Sequence, residues 1–132
     1  MIFVDTNVPM YLIGAAHPHK SEARRLIDRA VTDRERLVTD AEVFQEILHR
    51  YTAIGRRDAI QPAFDLLLEI VDDVFPIDRA AVERAKTIVL GYPHLSARDA
   101  IHVATMQIYA VSRIMSFDEG YDRVPGLARM SA

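Results

Sequence analysis

A chain of 132 residues, half of them apolar and 27% charged, has room for one hydrophobic core and little for a second. Its 16 Lys and Arg against 19 Asp and Glu leave a net charge of −3, which excludes a protein that grips duplex nucleic acid by phosphate neutralisation alone; any such contact has to be local or metal-mediated. The absence of cysteine excludes a disulfide framework, a Cys-ligated zinc site, a thiol nucleophile and a thiolate-held cluster.

Met1-Ile2-Phe3-Val4-Asp5 has no basic leader and meets a carboxylate where a secretory apolar core would continue. No apolar run reaches the ~18 to 20 residues that cross a bilayer. The expectation is one domain over residues 1–132, soluble and cytoplasmic.

In chain order, the apolar run Ile2 to Val4 predicts a strand buried on both faces, turning at Asp5-Thr6-Asn7. His17 to Arg36 reads as an amphipathic helix with Ala23, Leu26, Ile27 and Ala30 on its apolar face. Leu37-Val38 is a minimal strand, and Thr39-Asp40-Ala41-Glu42 has the form of a capping box that starts a helix striped by Phe44, Ile47, Leu48 and Tyr51 and ended by Gly55. Arg56 to Asp73 predicts a further helix, with Pro62 limiting it to an early turn or a restart. Val74 to Ile77 is a strand, ended by Pro76 or at an edge. Asp78 caps a helix that stops at Gly91-Tyr92-Pro93, and Ser96 to Asp99 opens a nearly all-apolar helix from Ala100 to Ala110. Arg113 to Phe117 is a strand, followed by an acidic loop at Asp118 to Asp122 and a short strand near Leu127 to Met130. Strands alternating with helices predict a three-layer α/β/α domain on a mainly parallel sheet.

Among the 19 acids, position does the sorting. Asp5 and Asp118 each follow an apolar strand, and in a parallel sheet those ends share the edge where α/β proteins bind ligands. A turn or cap aspartate is the plainer account of either alone. Asp99 fits a capping pattern too, yet it opens a helix that is apolar nearly all round, where a carboxylate needs a partner. Of the two glutamates after Thr39, Glu42 belongs to the capping box, whereas Glu46 has no capping role and flanks the apolar stripe. His102, three residues after Asp99, reads as a hydrogen-bonded helix residue or as a partner of Asp99.

If Asp5, Glu46, Asp99 and Asp118 converge, repulsion decides what else is needed. Two like charges ~4 Å apart at an effective dielectric near 20 cost about 4 kcal/mol, comparable with the net stability of a small domain. A cation is required. Oxygen ligands favour Mg²⁺ or Mn²⁺, which can activate a water and stabilise charge on a phosphodiester. Thr6, Asn7 and Ser116 would orient ligands or waters, and Arg24, Arg25, Arg50, Arg56 and Arg57 are candidate phosphate contacts. Two other classes place acids at strand ends. A phosphoacceptor regulatory domain wants a second acid beside Asp5 and a lysine at a later strand end, but Lys20 and Lys86 fall in helices. A metal-dependent phosphatase wants D-x-D, and Asn7 stands where its second aspartate belongs.

Val4-Asp5-Thr6-Asn7, the Thr39 to Glu46 helix start, Leu95-Ser96-Ala97-Arg98-Asp99-Ala100, and Met115-Ser116-Phe117-Asp118-Glu119-Gly120-Tyr121-Asp122 together resemble the PIN-domain ribonucleases, in particular the VapC-type toxins of toxin–antitoxin pairs. The resemblance spans the whole chain. It implies an Mg²⁺- or Mn²⁺-dependent endoribonuclease with Asp5, Glu46, Asp99 and Asp118 as catalytic, metal-holding acids. Thr6, Asn7 and Ser116 match the polar neighbours of the family motifs, and Asp122 a position that is acidic in many members. It further implies RNA as substrate and inhibition by a VapB-type antitoxin. Leu66, Leu68 and Ile70, in excess of a core stripe, predict an exposed apolar strip for that antitoxin or for a homodimer contact.

Overall fold

The structure, a computed structural model, describes residues 1–130. Five parallel strands form one sheet in the order β3-β2-β1-β4-β5: β1 (Ile2–Val4), β2 (Leu37–Asp40), β3 (Asp73–Phe75), β4 (Arg113–Met115) and β5 (Ala128–Met130). β1 is central, and its three residues are wholly buried because the sheet is covered on both faces. Six α-helices do the covering: α1 (Asn7–Ile13), α2 (Pro18–Thr32), α3 (Ala41–Ala53), α4 (Ile60–Ile70), α5 (Arg79–Gly91) and α6 (Ala97–Ile108).

Chain direction explains the layering. From β1 the sheet grows outward through β2 to β3, then the chain crosses back to β4 on the other side of β1. Right-handed crossovers therefore put α1 to α4 on one face and α5 with α6 on the other, in keeping with the packing of α1 on α2 and α4, of α3 on α4, and of α5 on α6. Strand order reverses between β1 and β4, so the carboxyl ends of these two neighbours flank the switch-point crevice of an open α/β sheet. The Asp5 amide donates to the Met115 carbonyl there at 3.1 Å.

Several expected boundaries move, each for a local reason. The turn after Asp5 becomes a helix, α1, which buries Val8, Pro9 and Leu12 and has no side-chain cap. The capping box at Thr39 does not form: Thr39 is the buried third residue of β2, its hydroxyl donating to the Val4 carbonyl at 2.9 Å, and the cap of α3 is Asp40, whose Oδ1 accepts from the Val43 amide at 3.0 Å. The helix expected from Arg56 to Asp73 divides into a 3₁₀ turn (Arg57–Ala59) and the shorter α4. β3 begins at Asp73 and stops at Phe75, before Pro76. α2 ends at Thr32, with Arg34 at φ 55°, and α6 starts at Ala97 and ends at Ile108 ahead of Ala110 at φ 57°. The acidic loop is a 3₁₀ turn (Glu119–Arg123) capped by Asp118.

Candidate active site

Asp5 leaves β1 at the switch point and is 5% exposed. Its carboxylate is held from three sides: the Thr6 amide donates to Oδ1 at 2.8 Å, the Ser116 hydroxyl to Oδ2 at 2.6 Å, and the Asn7 amide group to Oδ2 at 3.5 Å. Ser116 follows β4, so two adjacent strand ends supply carboxylate and hydroxyl. Ser116 Oγ also accepts from Asn7 at 3.2 Å and from the Asp118 amide at 3.0 Å. Burial pushes the Asp5 carboxyl up to about 6, against the lowering pull of His102 and of these hydrogen bonds.

Glu46 reaches the same place from α3. The Thr6 hydroxyl donates to its Oε2 at 2.5 Å. Burial alone would raise its pKa, but His102 and the Thr6 hydroxyl more than offset that and hold it below the usual carboxylate value.

His102 completes this inner group from α6. Its Nδ1 lies 2.8 Å from Asp40 Oδ2, and its Nε2 lies 3.8 Å from Glu46 Oε2 and 4.0 Å from Asp5 Oδ1. Nε2 is buried with no hydrogen-bond partner, the sole such side-chain atom among the described residues. Burial disfavours the imidazolium, yet Asp40 beside it, with Glu46 and Asp5, raises its pKa well above the ordinary value. The chain thus places a positive charge of its own behind the two carboxylates, and part of the repulsion expected from sequence is met from inside.

The other two predicted acids form an outer group. Asp99 keeps its capping box with Ser96 (3.1 and 3.4 Å), and its Oδ1 accepts from the Tyr121 hydroxyl at 3.0 Å. Tyr121 is fully buried, and burial together with the charges of Asp5, Asp99 and Asp118 drives its pKa far up, so the phenol stays a donor. Asp118 is exposed, and its Oδ1 accepts from the Gly120 amide at 2.9 Å. Asp5, Glu46 and His102 gather ligand atoms within 4.8 Å of one another; Asp99 and Asp118 stand outside that group and are linked to it through Tyr121 and Ser116. Asp122 is exposed and forms a bidentate pair with Arg129 (2.8 and 3.0 Å), whose Nη1 donates to the Ser116 carbonyl at 3.2 Å.

Two residues escaped the sequence reading. Asp40 sat inside the supposed capping box as a filler position, and the partner of His102 is Asp40, not Asp99. Arg98 packs near Glu42 at 3.7 Å on the rim. The five arginines singled out as phosphate contacts are all exposed, with Arg50 close enough to act on Glu46 and Arg56 paired with Asp58.

A doubly covered parallel sheet with carboxylates at the β1/β4 switch point defines an α/β domain with an acidic crevice, and comparison with known proteins places it. The PIN domain family model matches residues 2–127. A VapC ribonuclease of Mycobacterium bovis, Mb1869c, is 57% identical over 131 residues, covering 99% of this chain and 100% of that protein. Ribonuclease VapC23 of Mycobacterium tuberculosis is 40% identical over 118 residues, 89% of this chain and 93% of that one. The chain belongs to the PIN-domain family and, within it, to the VapC ribonucleases. The crystal structure of Mycobacterium tuberculosis VapC20, a sarcin–ricin loop cleaving toxin, superposes with a TM-score of 0.82 over the whole of both chains at 19% identity, and VapBC2 of Rickettsia felis bound to a promoter DNA fragment with 0.74 over 98% of each at 12%. These two share the fold.

Proposed function

We propose that the chain is an Mg²⁺- or Mn²⁺-dependent endoribonuclease acting as the toxin of a toxin–antitoxin pair in the cytoplasm, with Asp5, Glu46, Asp99 and Asp118 as its working acids. One observation carries the assignment of the site: Asp5 and Glu46, which belong to separate elements, are fixed by the one residue Thr6, 40 positions from Glu46 in sequence, at the switch point of the sheet. The donor set suits a divalent ion, since the carboxylates of Asp5 and Glu46 face one another at one point of the crevice, with the His102 imidazolium behind them balancing charge and not serving as a ligand. When bound, such an ion supplies water activation and stabilises charge on the scissile phosphate. Asp5 and Glu46 would hold it from within, and Asp99 and Asp118 from the rim.

The chain's own polar groups set the positions. Ser116 fixes Asp5 against the Asp118 backbone, Asn7 braces both, Tyr121 holds Asp99, and His102 with Asp40 orients the inner pair from behind. Asp122 acts at a distance, through Arg129 and the Ser116 carbonyl. A phosphoacceptor or phosphatase reading loses its support, because Lys20 lies in α2 and Lys86 in α5, away from any strand end, and Asn7 occupies the second-acid position.

The partners in this reading are RNA, a VapB-type antitoxin and a second copy of the chain. A solved structure of the same fold is described as a toxin–antitoxin complex from Klebsiella pneumoniae. The test is cleavage of single-stranded or loop RNA by the purified chain. Cleavage should need added Mg²⁺ or Mn²⁺, should stop with a folded Asp5→Asn variant, and should not extend to a small phosphate monoester. Equal cleavage in excess EDTA, or by Asp5→Asn, would overturn it.

A further inference from the structure

Beside the carboxylates four rings gather. Tyr11 lies on α1 one turn beyond Asn7, His17 and His19 flank Pro18 at the start of α2, and Phe117 stands between Ser116 and Asp118. The His17 imidazole stacks on Tyr11 with centroids 4.8 Å apart and planes at 28°, and His19 stacks on Phe117 at 4.4 Å and 24°. Tyr11 meets His19 and Phe117 edge-on at 5.1 and 5.3 Å. The cluster is bonded to the acid site: the Phe117 amide donates to Asn7 Oδ1 at 3.4 Å, and Asn7 braces Asp5 and Ser116.

Tyr11 and Phe117 pack partly against the core, but none of the four rings is fully covered. His17 is exposed and the other three are half-buried; Tyr11 stacks on its imidazole and His19 tilts against it at 5.0 Å and 43°, and the remainder of the ring is open to solvent. The ring is also oriented: Nδ1 accepts from the His19 amide at 3.0 Å, which leaves Nε2 as the N–H. A flat, oriented ring system open to solvent is what an unstacked base requires.

On the ribonuclease reading above, we infer that Tyr11, His17, His19 and Phe117 form a base-stacking subsite that takes an unpaired nucleobase of the RNA strand next to the scissile phosphate. Phe117 adjoins Asp118, and Tyr11 is one turn from Asn7, so a nucleotide whose phosphate sits at the acids has its base beside the rings. The charge balance favours the same occupant. With a net charge of −3 and a cluster of acids at the site, general electrostatic attraction for RNA is weak, and stacking adds affinity without opposing charge. Paired bases hide their faces in the duplex, so the subsite selects loops and single strands.

His17 also caps α2 through Nδ1, and two substitutions separate that role from stacking. His17→Asn keeps a good cap and removes the ring; His17→Phe keeps a ring and removes the cap. Both are made in the non-cleaving Asp5→Asn background and measured with Mg²⁺ by anisotropy, using a short single-stranded oligoadenylate that carries 2-aminopurine. The subsite requires His17→Asn to weaken binding about fivefold or more and to relieve 2-aminopurine quenching, with His17→Phe close to the parent on both. Unchanged binding and quenching in a folded His17→Asn variant overturns the subsite and leaves the ribonuclease reading standing. Loss of antitoxin binding alone would assign the rings to a protein partner and equally overturn it. If the Asp5→Asn parent binds no RNA and the unmodified chain cleaves none, the ribonuclease reading falls and takes the subsite with it.

Discussion

His102 Nδ1 lies 2.8 Å from Asp40 Oδ2, and both side chains are wholly buried. Asp40 divides its carboxylate between two tasks, Oδ1 capping α3 and Oδ2 holding the imidazole of α6. The pair therefore joins the helix that carries Glu46 to the helix that opens with Asp99, behind the acids that both helices present. Breaking one partner of a buried ion pair costs roughly 3 to 5 kcal/mol, because the other charge is left without compensation. Asp40→Asn retains a cap oxygen and is expected to lose about that much in a urea melt, whereas the same change at exposed Asp65 should cost less than about 0.5 kcal/mol.

The acids give the metal-free protein a pH dependence of definite sign. Asp5 is raised from 3.8 to about 6 by burial, so its contribution favours the fold below its unfolded value and is lost as pH rises through about 6, by roughly 3 kcal/mol. His102, raised well above 6.5, works in the same direction at higher pH. Glu46, lowered, works oppositely, its contribution present above 4.5 and lost as pH falls. In EDTA, stability should fall between about pH 4 and 6.5. Asp5→Asn should flatten that part of the curve. An unchanged slope in the variant would show that burial of Asp5 is not its source.

Asp99 has structural duties beside any metal it would hold. It closes a capping box with Ser96 and accepts from a buried tyrosine. In EDTA, Asp99→Ala should cost about 1 to 2 kcal/mol, through the lost cap and an unpartnered Tyr121 hydroxyl. Asp99→Asn keeps one acceptor oxygen of the two, enough for either the Tyr121 hydroxyl or the Ser96 amide, and should cost less than the alanine change. Added Mg²⁺ should raise the melting temperature of the parent and of neither variant. A parent indifferent to Mg²⁺ would return Asp99 to a purely structural role.

What was legible from sequence followed range. The β1 strand and its terminal Asp5 show in a run of apolar residues broken by one acid, and the helix that carries Glu46 shows in its stripe; both are local patterns. α1 did not show, because its seven residues are held by burial of Val8, Pro9 and Leu12 and lack a side-chain cap. Thr-x-x-Glu at Thr39 matches the capping motif, but in the centre of a buried sheet the Thr39 hydroxyl serves β1 instead. The Asp40–His102 pair spans 62 residues, and each half looks ordinary in its own neighbourhood. Contacts made by topology leave no local trace.

The apolar strip on the α3 and α4 side is narrower than the sequence implies. Leu66 and Ile70 are partly buried against the core, while Leu68 is 56% exposed. On α3 and just beyond it, Leu48 is 43% and Ile54 66% exposed. Single exposed leucines are ordinary on a monomer, but several on one pair of adjacent helices mark a contact surface. An amphipathic antitoxin helix would cover them with its apolar face, and an Arg or Lys from the same segment would be drawn to the nearby carboxylates, blocking the site by charge. Leu48→Glu with Leu68→Glu should therefore weaken antitoxin binding or self-association at least tenfold, read by light scattering and titration calorimetry. Both positions are exposed, so the circular-dichroism spectrum and melting temperature should stay close to the parent. RNA cleavage by the isolated double variant should also persist, since neither leucine adjoins the acids. A double variant that still dimerises and binds its antitoxin normally would clear this surface of any role in assembly.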